Sequence, residues 1–412
     1  MKKLLPVLLL TLVNTLSFSL LIPVIPVMLR NWQMPDWTFG LILALFSFCQ
    51  FWAAPIFGAL SDQFGRRNIL LITQGGTFIS WLLFVVLWFV ESMLVLPVFI
   101  LLAFLIVLRV VDGLTGGNSS VTNAYLSDIT SKAEKARYFG YLSATMGVGM
   151  IVGPAIGAYT IASQYGYLLT ALVGGLLSLL TLGFIAFGLQ ESLKDKARAS
   201  SIDWFKPFKL RSSFSDLKGQ KVVKNILIVR IFLGATLASY TSVMVFYLLD
   251  QFALTEIQIG NFLFFVGGFA IFNQLVLIQP IVSKLGEARA LALGLFLLFI
   301  GLLSFPYVEL YSVLLCVYYL ANLGFSICLP TIKSVLTTQT DPTRQGSILG
   351  LEESLGALTM AVMPIISTSV YLFIGVKSFW IWGSLSGLAC VFLLVTCQGI
   401  WSKSLATKLT SS

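Results

Sequence analysis

Twelve long apolar runs follow one another along the chain, and each is long enough to cross a lipid bilayer. A membrane-spanning helix needs about 20 consecutive apolar residues. The runs lie at 4–30, 39–60, 69–90, 94–126, 138–161, 165–188, 223–250, 257–281, 289–306, 310–334, 346–371 and 376–399. The first run exceeds the roughly 7–15 apolar residues of a signal peptide, so we expect it to be retained. The pattern predicts an all-α membrane protein with twelve transmembrane helices.

The composition excludes most enzyme chemistry. Charged residues make up only 10% of the 412, whereas a soluble domain carries about 25%. The chain has no histidine, which removes imidazole metal sites and Ser-His-Asp triads. The five cysteines lack a CxxC pair, and no ATP-binding GxxxxGKS or GxxxxGKT sequence occurs. We therefore predict that the protein is not an enzyme and has no catalytic residue, metal site or cofactor.

The basic residues indicate how the chain is oriented in the membrane. An even number of spans places both termini on one side, and 22 of the 26 Lys and Arg residues fall on that side. Loops rich in Lys and Arg face the cytoplasm. Both termini are therefore expected to be cytoplasmic. The net charge of +9 then reflects orientation, and no nucleic-acid partner is predicted.

A polar segment divides the chain into two sets of six spans. Residues 189–224 contain nine basic and four acidic residues. We predict an N-terminal six-helix bundle at 1–188, a cytoplasmic linker at 189–222 and a C-terminal six-helix bundle at 223–412. Aromatic residues alternate with lysines at 204–209, which favours a short interfacial helix there; a solvated linker is the alternative.

Two short patterns recur in both halves. Gly140 precedes Pro154 by fourteen residues, and Gly350 precedes Pro364 by the same interval. In the loops, Phe64-Gly65-Arg66 has a counterpart in Leu285-Gly286-Glu287. Repeated six-helix halves are an architecture of transporters. The repeat predicts two pseudo-symmetric bundles.

The most specific motif lies between the second and third apolar runs. It reads Gly58-Ala59-Leu60-Ser61-Asp62-Gln63-Phe64-Gly65-Arg66-Arg67. Gly58 permits close helix contact, Gly65 permits a tight turn, and Asp62 suits a neighbouring helix N-terminus. Arg66 and Arg67 favour the cytoplasmic face. The motif resembles the cytoplasmic-loop signature of the major facilitator superfamily, with Gln63 where that signature usually has arginine.

Two further motifs follow in the order of that family. The sequence from Arg109 to Gly117 resembles its fourth-helix motif. The fifth apolar run has the spacing of its antiporter motif, with Ala158 in place of a final glycine; the motif residues are Gly149, Gly153, Pro154 and Gly157. Small residues let another helix approach, and Pro154 allows a bend. The motif indicates either an exporter or a simple packing face.

Residues 1–190 resemble the tetracycline-exporter branch of the twelve-span drug:proton antiporters. The resemblance implies two pseudo-symmetric bundles, a central cavity and alternating access. Those exporters carry aspartates where this chain has Asn14 and Ser80, and they use a histidine that this chain lacks. Tetracycline therefore stays open as a substrate, and proton coupling has to be assigned to other residues.

Charged residues within spans are candidates for proton coupling, because each costs at least about 2.5–3.5 kcal/mol to insert. Arg109 and Asp112 lie one turn apart in the fourth span and can pair. The arginine favours an ionised carboxylate and burial favours a neutral one. The pair therefore suits either proton coupling or a permanent structural link. Arg230 and Asp250, at the ends of the seventh span, are expected at the membrane interface.

The eleventh apolar run offers a further carboxylate. Glu353 lies two turns from its cytoplasmic end, beside Glu352. We select Glu353 as a site for a proton or a cationic substrate. The alternative is that it reaches the interface and pairs with Arg344 or Lys333.

Uncharged polar and aromatic side chains within spans are candidates for a substrate cavity. A buried amide needs partners, which a ligand or another helix can supply. A polar face of the fourth span lines the cavity or packs against a neighbour. The selected residues are Asn14, Phe18, Ser119, Asn123, Tyr240, Asn273 and Gln274.

These features together predict a secondary transporter in the cytoplasmic (inner) membrane of a bacterium. The leading hypothesis is proton-coupled export of an amphipathic small molecule, such as a drug, siderophore or metabolite, by a monomer. Its partners are then the substrate, protons and the lipid bilayer. Proton-coupled or facilitative uptake of a nutrient or siderophore is the alternative, and a receptor that binds without transport is a third hypothesis.

Overall fold

The computed structural model describes residues 4–116, 118–130, 135–193, 220–340 and 345–396, and within these ranges all regular structure is helical. The helices of the first half are α1 Leu5–Asn31, α2 Trp37–Phe64, α3 Arg66–Met93, α4 Val98–Thr115, α5 Asn118–Ile129, α6 Lys135–Ile161 and α7 Tyr167–Gly183. Those of the second half are α8 Lys221–Phe252, α9 Glu256–Phe272, α10 Ile278–Leu285, α11 Glu287–Ser304, α12 Tyr311–Thr338, α13 Gln345–Ile374 and α14 Ser378–Thr396. The central part of the predicted linker, 194–219, and its predicted interfacial helix lie outside the described residues.

Short irregular helical turns connect several of these helices. One π-helical turn, Phe184–Gly188, ends α7, and another, Asn273–Leu277, joins α9 to α10. A 3₁₀ turn follows α11 at Phe305–Tyr307, and a second, Gly375–Lys377, joins α13 to α14. A π-helical turn within a longer helix is frequent at functional sites, and the turn at Asn273 is considered below.

Ten helical segments of the described chain are long and apolar enough to cross a membrane. One of them, 351–396, contains both α13 and α14, and α6 contributes a shorter apolar stretch, Thr145–Ile161. The prediction of an all-α membrane protein is thus confirmed, while the exact count of twelve spans stays a prediction.

The helices form two compact units. Unit 1 holds α1–α7 together with Leu254–Gly267, and unit 2 holds α8, the end of α9 and α10–α14. The same pairing of helices recurs inside each unit. In unit 1, α1 packs on α6, and α3 packs on both α4 and α7; in unit 2, α8 packs on α13, and α11 packs on both α12 and α14. The same helix pairs in both units correspond to the repeat seen in the sequence.

Two glycine turns occupy equivalent places in the units. Gly65 separates α2 from α3 with φ 95° and ψ 148°, and Gly286 separates α10 from α11 with φ 80° and ψ 159°. This region of backbone space is open almost exclusively to glycine. The two tripeptides that resemble each other in sequence therefore fold into the same turn.

Candidate functional site

The turn at Gly65 brings three polar side chains onto one arginine. Arg66 is 7% exposed, and it forms ion pairs with Asp62 at 2.5 Å and Asp128 at 3.2 Å. Its Nη1 also donates a hydrogen bond of 2.6 Å to Ser61 Oγ. Asp62, expected to meet a helix N-terminus, binds Arg66 in this structure. A guanidinium has several donors in a fixed plane, which suits it to bridge such a set.

Glu191 is a functional candidate that the sequence analysis did not select. Its carboxylate accepts hydrogen bonds from the backbone N–H of Arg66 at 2.9 Å and of Arg67 at 3.1 Å. Both N–H groups belong to the first turn of α3, where the helix dipole favours a negative charge. Arg67 Nη2 donates to the carbonyl of Ala186 at 2.6 Å. A carboxylate 125 residues away in sequence gives no local signal of this contact.

Gly58, the first residue of the motif, lies beside α5. A Cβ at this position would be 3.5 Å from Ser120 Oγ, and Ser120 donates a hydrogen bond of 2.6 Å to the carbonyl of Ala54. The motif thus fixes α2 against α5 at one end and α3 at the other.

In unit 1, Arg109 and Asp112 form the ion pair that their spacing predicts. Arg109 Nη1 lies 2.7 Å from Asp112 Oδ2, and the arginine side chain is 1% exposed against 15% for the aspartate. The guanidinium carbon also lies 4.4 Å from the centre of the Phe46 ring, a cation–π contact. Phe18 stacks on Phe46 with ring centres 5.2 Å apart. The predicted cavity residue Phe18 is therefore linked to the predicted coupling pair through the Phe46 ring.

The antiporter-type motif lies in the contact between α6 and α1. Gly153 and Gly157 face the backbone and side chains of α1 so closely that a Cβ at either would clash, and Gly149 faces Thr15. Ser19 Oγ donates a hydrogen bond of 2.8 Å to the carbonyl of Gly149. Pro154 lies inside the helix. The motif forms a tight packing face here, and its link to export stays a prediction.

Unit 2 contains a second buried ion pair. Arg230 on α8 donates from Nε to Glu352 Oε1 on α13, with side chains 11% and 2% exposed. The expectation that Arg230 reaches the membrane interface was wrong, because its guanidinium finds a carboxylate inside the unit. A Cβ at Gly356 would clash with that guanidinium. The glycine therefore leaves room for the arginine head group.

The two neighbouring carboxylates of α13 differ sharply. Glu352 is buried, whereas the side chain of Glu353 is 74% exposed. Lys333 on α12 lies between them, with Nζ 3.8 Å from Glu352 Oε2 and 3.4 Å from Glu353 Oε2. The lysine contact foreseen for Glu353 is present; Arg344, the other partner considered, lies outside the described residues. Asp250, expected at the interface, accepts a hydrogen bond of 3.0 Å from Tyr371.

Asn273 forms the centre of a polar cluster in unit 2. Its side chain is fully buried. Nδ2 lies 3.2 Å from Asn322 Oδ1 and 3.4 Å from Ser326 Oγ, and Oδ1 accepts a hydrogen bond of 3.0 Å from Tyr319. Gln274, the next residue of the π-helical turn, is exposed. The turn therefore directs two consecutive amides into different surroundings.

The other predicted cavity residues are dispersed. Asn14 Oδ1 is buried and accepts no hydrogen bond within the described part of the chain. Ser119 and Asn123 are exposed on α5. Tyr240 is 3% exposed and packs against Phe305, Tyr318 and Phe325, so it is part of an aromatic cluster. Among the residues that the structure describes, no group of three His, Cys, Asp or Glu side chains could hold a metal ion.

A helical fold with many membrane-spanning segments and a buried ion pair in each unit defines a multi-pass membrane transport protein. The family model of the Major Facilitator Superfamily matches residues 7–357, and the chain belongs to that family. The fold and the family are those of transporters, which are not enzymes.

Curated relatives match nearly the full length of the chain. The class C tetracycline resistance protein of Escherichia coli is 30% identical and covers 96% of this chain and 96% of its own length. The class B protein of the same organism is 28% identical, with 94% of each chain covered. The resemblance to the tetracycline-exporter branch is thereby confirmed.

Solved structures share the fold. The human organic anion transporter MFSD10 (TETRAN) aligns with a TM-score of 0.72 and 24% identity, covering 95% of this chain and 99% of its own. A bacterial homologue of the human lysosomal transporter Spinster aligns with a TM-score of 0.75 and 12% identity, covering 96% of both chains.

Proposed function

We propose that the protein is a proton-coupled exporter of an amphipathic small molecule that works by alternating access. The observation that carries the proposal is the presence of a buried or half-buried ion pair within the helices of each unit, Arg109–Asp112 and Arg230–Glu352. Such charges are costly in a membrane and mark ion pathways. The similarity to tetracycline resistance proteins supports export.

In unit 1, a proton on Asp112 would neutralise the partner of Arg109. The guanidinium would retain its cation–π contact with the Phe46 ring, whose centre lies 4.4 Å from the guanidinium carbon. It would lose its ion pair with Asp112. Phe18 stacks on the same ring, so a shift of the guanidinium is transmitted to α1. A proton that favours one state and a substrate that favours the other give coupled transport.

In unit 2, the exposed Glu353 would exchange the proton while the buried Glu352 holds Arg230. Lys333 lies within 4 Å of both carboxylates. Protonation of Glu353 would leave Glu352 as the charged partner of Lys333. The stronger attraction to Lys333 would weaken the ion pair between Glu352 and Arg230. We therefore keep Glu353 as a coupling residue and add Glu352, Arg230 and Lys333 as the groups that respond to it.

Further parts of the proposal concern topology and the remaining sites. Both termini and the Gly65 turn face the cytoplasm, where the contacts of Arg66 with Asp62 and Asp128 would act as a latch. The chain works as a monomer in a bacterial inner membrane, with six-helix bundles at 1–188 and 223–412. The polar cluster around Asn273 and the Asn14 amide oxygen, which accepts no hydrogen bond from the described residues, supply hydrogen-bonding groups for substrate.

The test begins with a thermal-shift screen of the purified protein against drugs, siderophores and metabolites, with tetracycline included. The strongest binder is then followed in everted membrane vesicles at two pH gradients. Export predicts accumulation inside these vesicles that increases with interior acidity, together with proton release that a pH-sensitive dye records.

Variants separate coupling from folding in the same assay. Asp112→Asn and Glu353→Gln are expected to lower proton-driven accumulation, while Glu309→Gln, a change at an exposed loop carboxylate, leaves it unchanged. Proton-driven accumulation that survives both Asp112→Asn and Glu353→Gln would refute the coupling mechanism. Flux in the opposite direction would replace export by uptake, and tight binding without flux would favour a receptor.

A further inference from the structure

We propose that a cavity in unit 1, which we call the Glu91 cavity, binds an organic ammonium ion. The cavity has a volume of about 410 Å³ and includes in its lining Trp32, Trp88, Glu91, Gln164, Tyr165 and Tyr167. Pockets for small ligands fall in the range of about 300–1,000 Å³. The proposal concerns binding alone, so it stands independently of the transport mechanism above.

The cavity lies far from the Gly65 turn. Glu91 is the third residue from the end of α3, which begins at Arg66. At 1.5 Å per residue, the two residues are separated by about 38 Å along the helix axis. The ends of α1 and α6 and the start of α7 supply the other walls. By the proposed topology, this end of unit 1 faces away from the cytoplasm.

The carboxylate of Glu91 has neutral hydrogen-bond donors and no cationic partner. Trp32 Nε1 donates to Oε1 at 2.6 Å, and the Tyr167 hydroxyl donates to Oε2. Neither donor changes the net charge of the site. Within the described ranges, no ion pair includes Glu91. A half-buried carboxylate therefore faces the cavity with its negative charge uncompensated.

The described aspartates of unit 1, unlike Glu91, each have a cationic partner. Asp36 pairs with Arg30 at 2.9 Å, Asp62 and Asp128 pair with Arg66, and Asp112 pairs with Arg109. A carboxylate in a partly desolvated site gains from a nearby positive charge. In the Glu91 cavity, a ligand has to supply that charge.

The aromatic lining selects the kind of cation. Two tryptophans and two tyrosines line the cavity, and the faces of such rings attract ammonium groups, with quaternary ammonium ions bound in aromatic cages. Metal cations such as Ca²⁺ instead require six to eight oxygen ligands. One carboxylate among aromatic walls therefore favours an organic ammonium ion over an inorganic cation.

Choline is the probe for binding of an organic ammonium ion in the Glu91 cavity. Its uncharged isostere, 3,3-dimethyl-1-butanol, is the control ligand. Titration calorimetry on the purified full-length protein in detergent is expected to show saturable binding of choline and none of the isostere. Equal binding of the two compounds, or no binding of choline, would overturn the proposal.

Three variants locate the binding. Glu91→Gln removes the charge and keeps one acceptor oxygen for Trp32, while its NH2 group can donate to the Tyr167 hydroxyl; it is expected to abolish choline binding. Asp36→Asn, the matched control, removes a carboxylate that already has Arg30 as partner, and it should leave choline affinity unchanged. Trp88→Leu keeps the charge and should raise the Kd for choline about ten-fold, which also covers the case in which Glu91→Gln does not fold. Wild-type affinity in Trp88→Leu and in any folded Glu91→Gln protein would contradict the assignment.

The ammonium ion can come from a free solute or from an aminophospholipid headgroup. Nanodiscs of phosphatidylglycerol alone and with an equal amount of phosphatidylethanolamine distinguish the two sources. Weaker choline binding in the mixed nanodiscs supports a headgroup as the natural occupant. The control variant Asp36→Asn should show the same weakening as the wild type. Equal binding in both supports a free solute.

Discussion

Each unit contains a buried arginine with a carboxylate partner, and the two units place that partner differently. In unit 1, Arg109 and Asp112 are one turn apart on a single helix, and the arginine rests on the Phe46 ring. In unit 2, Arg230 and Glu352 are 122 residues apart on α8 and α13, with Lys333 close to the carboxylate. The first pair moves as one rigid turn, whereas the second holds two helices together. A relative motion of helices therefore strains the pair of unit 2 first.

The two arginines also differ in the contacts that remain when the partner carboxylate loses its charge. Arg109 without Asp112 keeps an aromatic face. Without Glu352, Arg230 has no carboxylate partner among the described residues, and Lys333 adds a second positive charge near the same site. The consequences of neutralising the two acids should therefore differ in size, and three experiments measure that difference.

The largest expected effect follows from Glu352→Gln. The change leaves a buried arginine without its counter-charge, and the loss of one partner of a buried pair costs about 3–5 kcal/mol in folding free energy. Thermal and denaturant unfolding of the purified protein should record a corresponding loss. An unfolding midpoint equal to wild type would show that the pair does not hold α8 to α13.

A double variant provides the control for that experiment. Arg230→Met combined with Glu352→Met removes both charges, and apolar replacement of a whole buried pair is often neutral or stabilising by about 1–4 kcal/mol. We expect recovered stability together with lost proton coupling. Proton-driven transport that persists in this folded double variant would assign the pair a structural role alone.

A smaller effect is expected for Asp112→Asn in unit 1. The arginine loses a charge-assisted hydrogen bond, worth about 2–3 kcal/mol, but it keeps the Phe46 ring at 4.4 Å. The same unfolding measurements should place this variant between wild type and Glu352→Gln. A loss that exceeds that of Glu352→Gln would reverse the ranking of the two units.

The smallest effects concern the two glycine turns. Gly65→Ala and Gly286→Ala each force alanine into a positive-φ conformation, at a cost of about 1–2 kcal/mol. A Cβ at Gly65 also clashes with Glu191, so Gly65→Ala should be the more destabilising of the two. Gly75→Ala, within α3 and with no atom near its Cβ, is the matched control and should not destabilise. Equal losses at 65 and 286 would mean that the Glu191 contact adds nothing.

The sequence was sufficient for the features that depend on composition and short spacing. The apolar runs predicted the spanning helices, the tripeptides around Gly65 and Gly286 predicted matching turns, and three-residue spacing predicted the Arg109–Asp112 pair. Each of these depends on residues that are neighbours along the chain.

Features that join distant segments were missed or misplaced. Arg230 was assigned to the interface from its place near the start of a span, since a partner 122 residues away gives no local signal, and Glu353 was selected although the buried carboxylate is Glu352. The contacts of Glu191 with α3 and of Glu91 with Trp32 and Tyr167 were not foreseen either. Hydropathy shows which residues are in the membrane, but the rotation of each helix decides which of two adjacent carboxylates is buried.

The hydrogen bonds of Glu191 anchor the chain that follows α7 to the first turn of α3. Its carboxylate binds the first turn of α3 and also accepts from the backbone N–H groups of Ser192 and Leu193 at 3.0 Å. The chain is therefore held at the α3 turn several residues beyond the end of α7. Releasing Glu191 would remove this anchor and leave the first two N–H groups of α3 without the carboxylate that accepts from them.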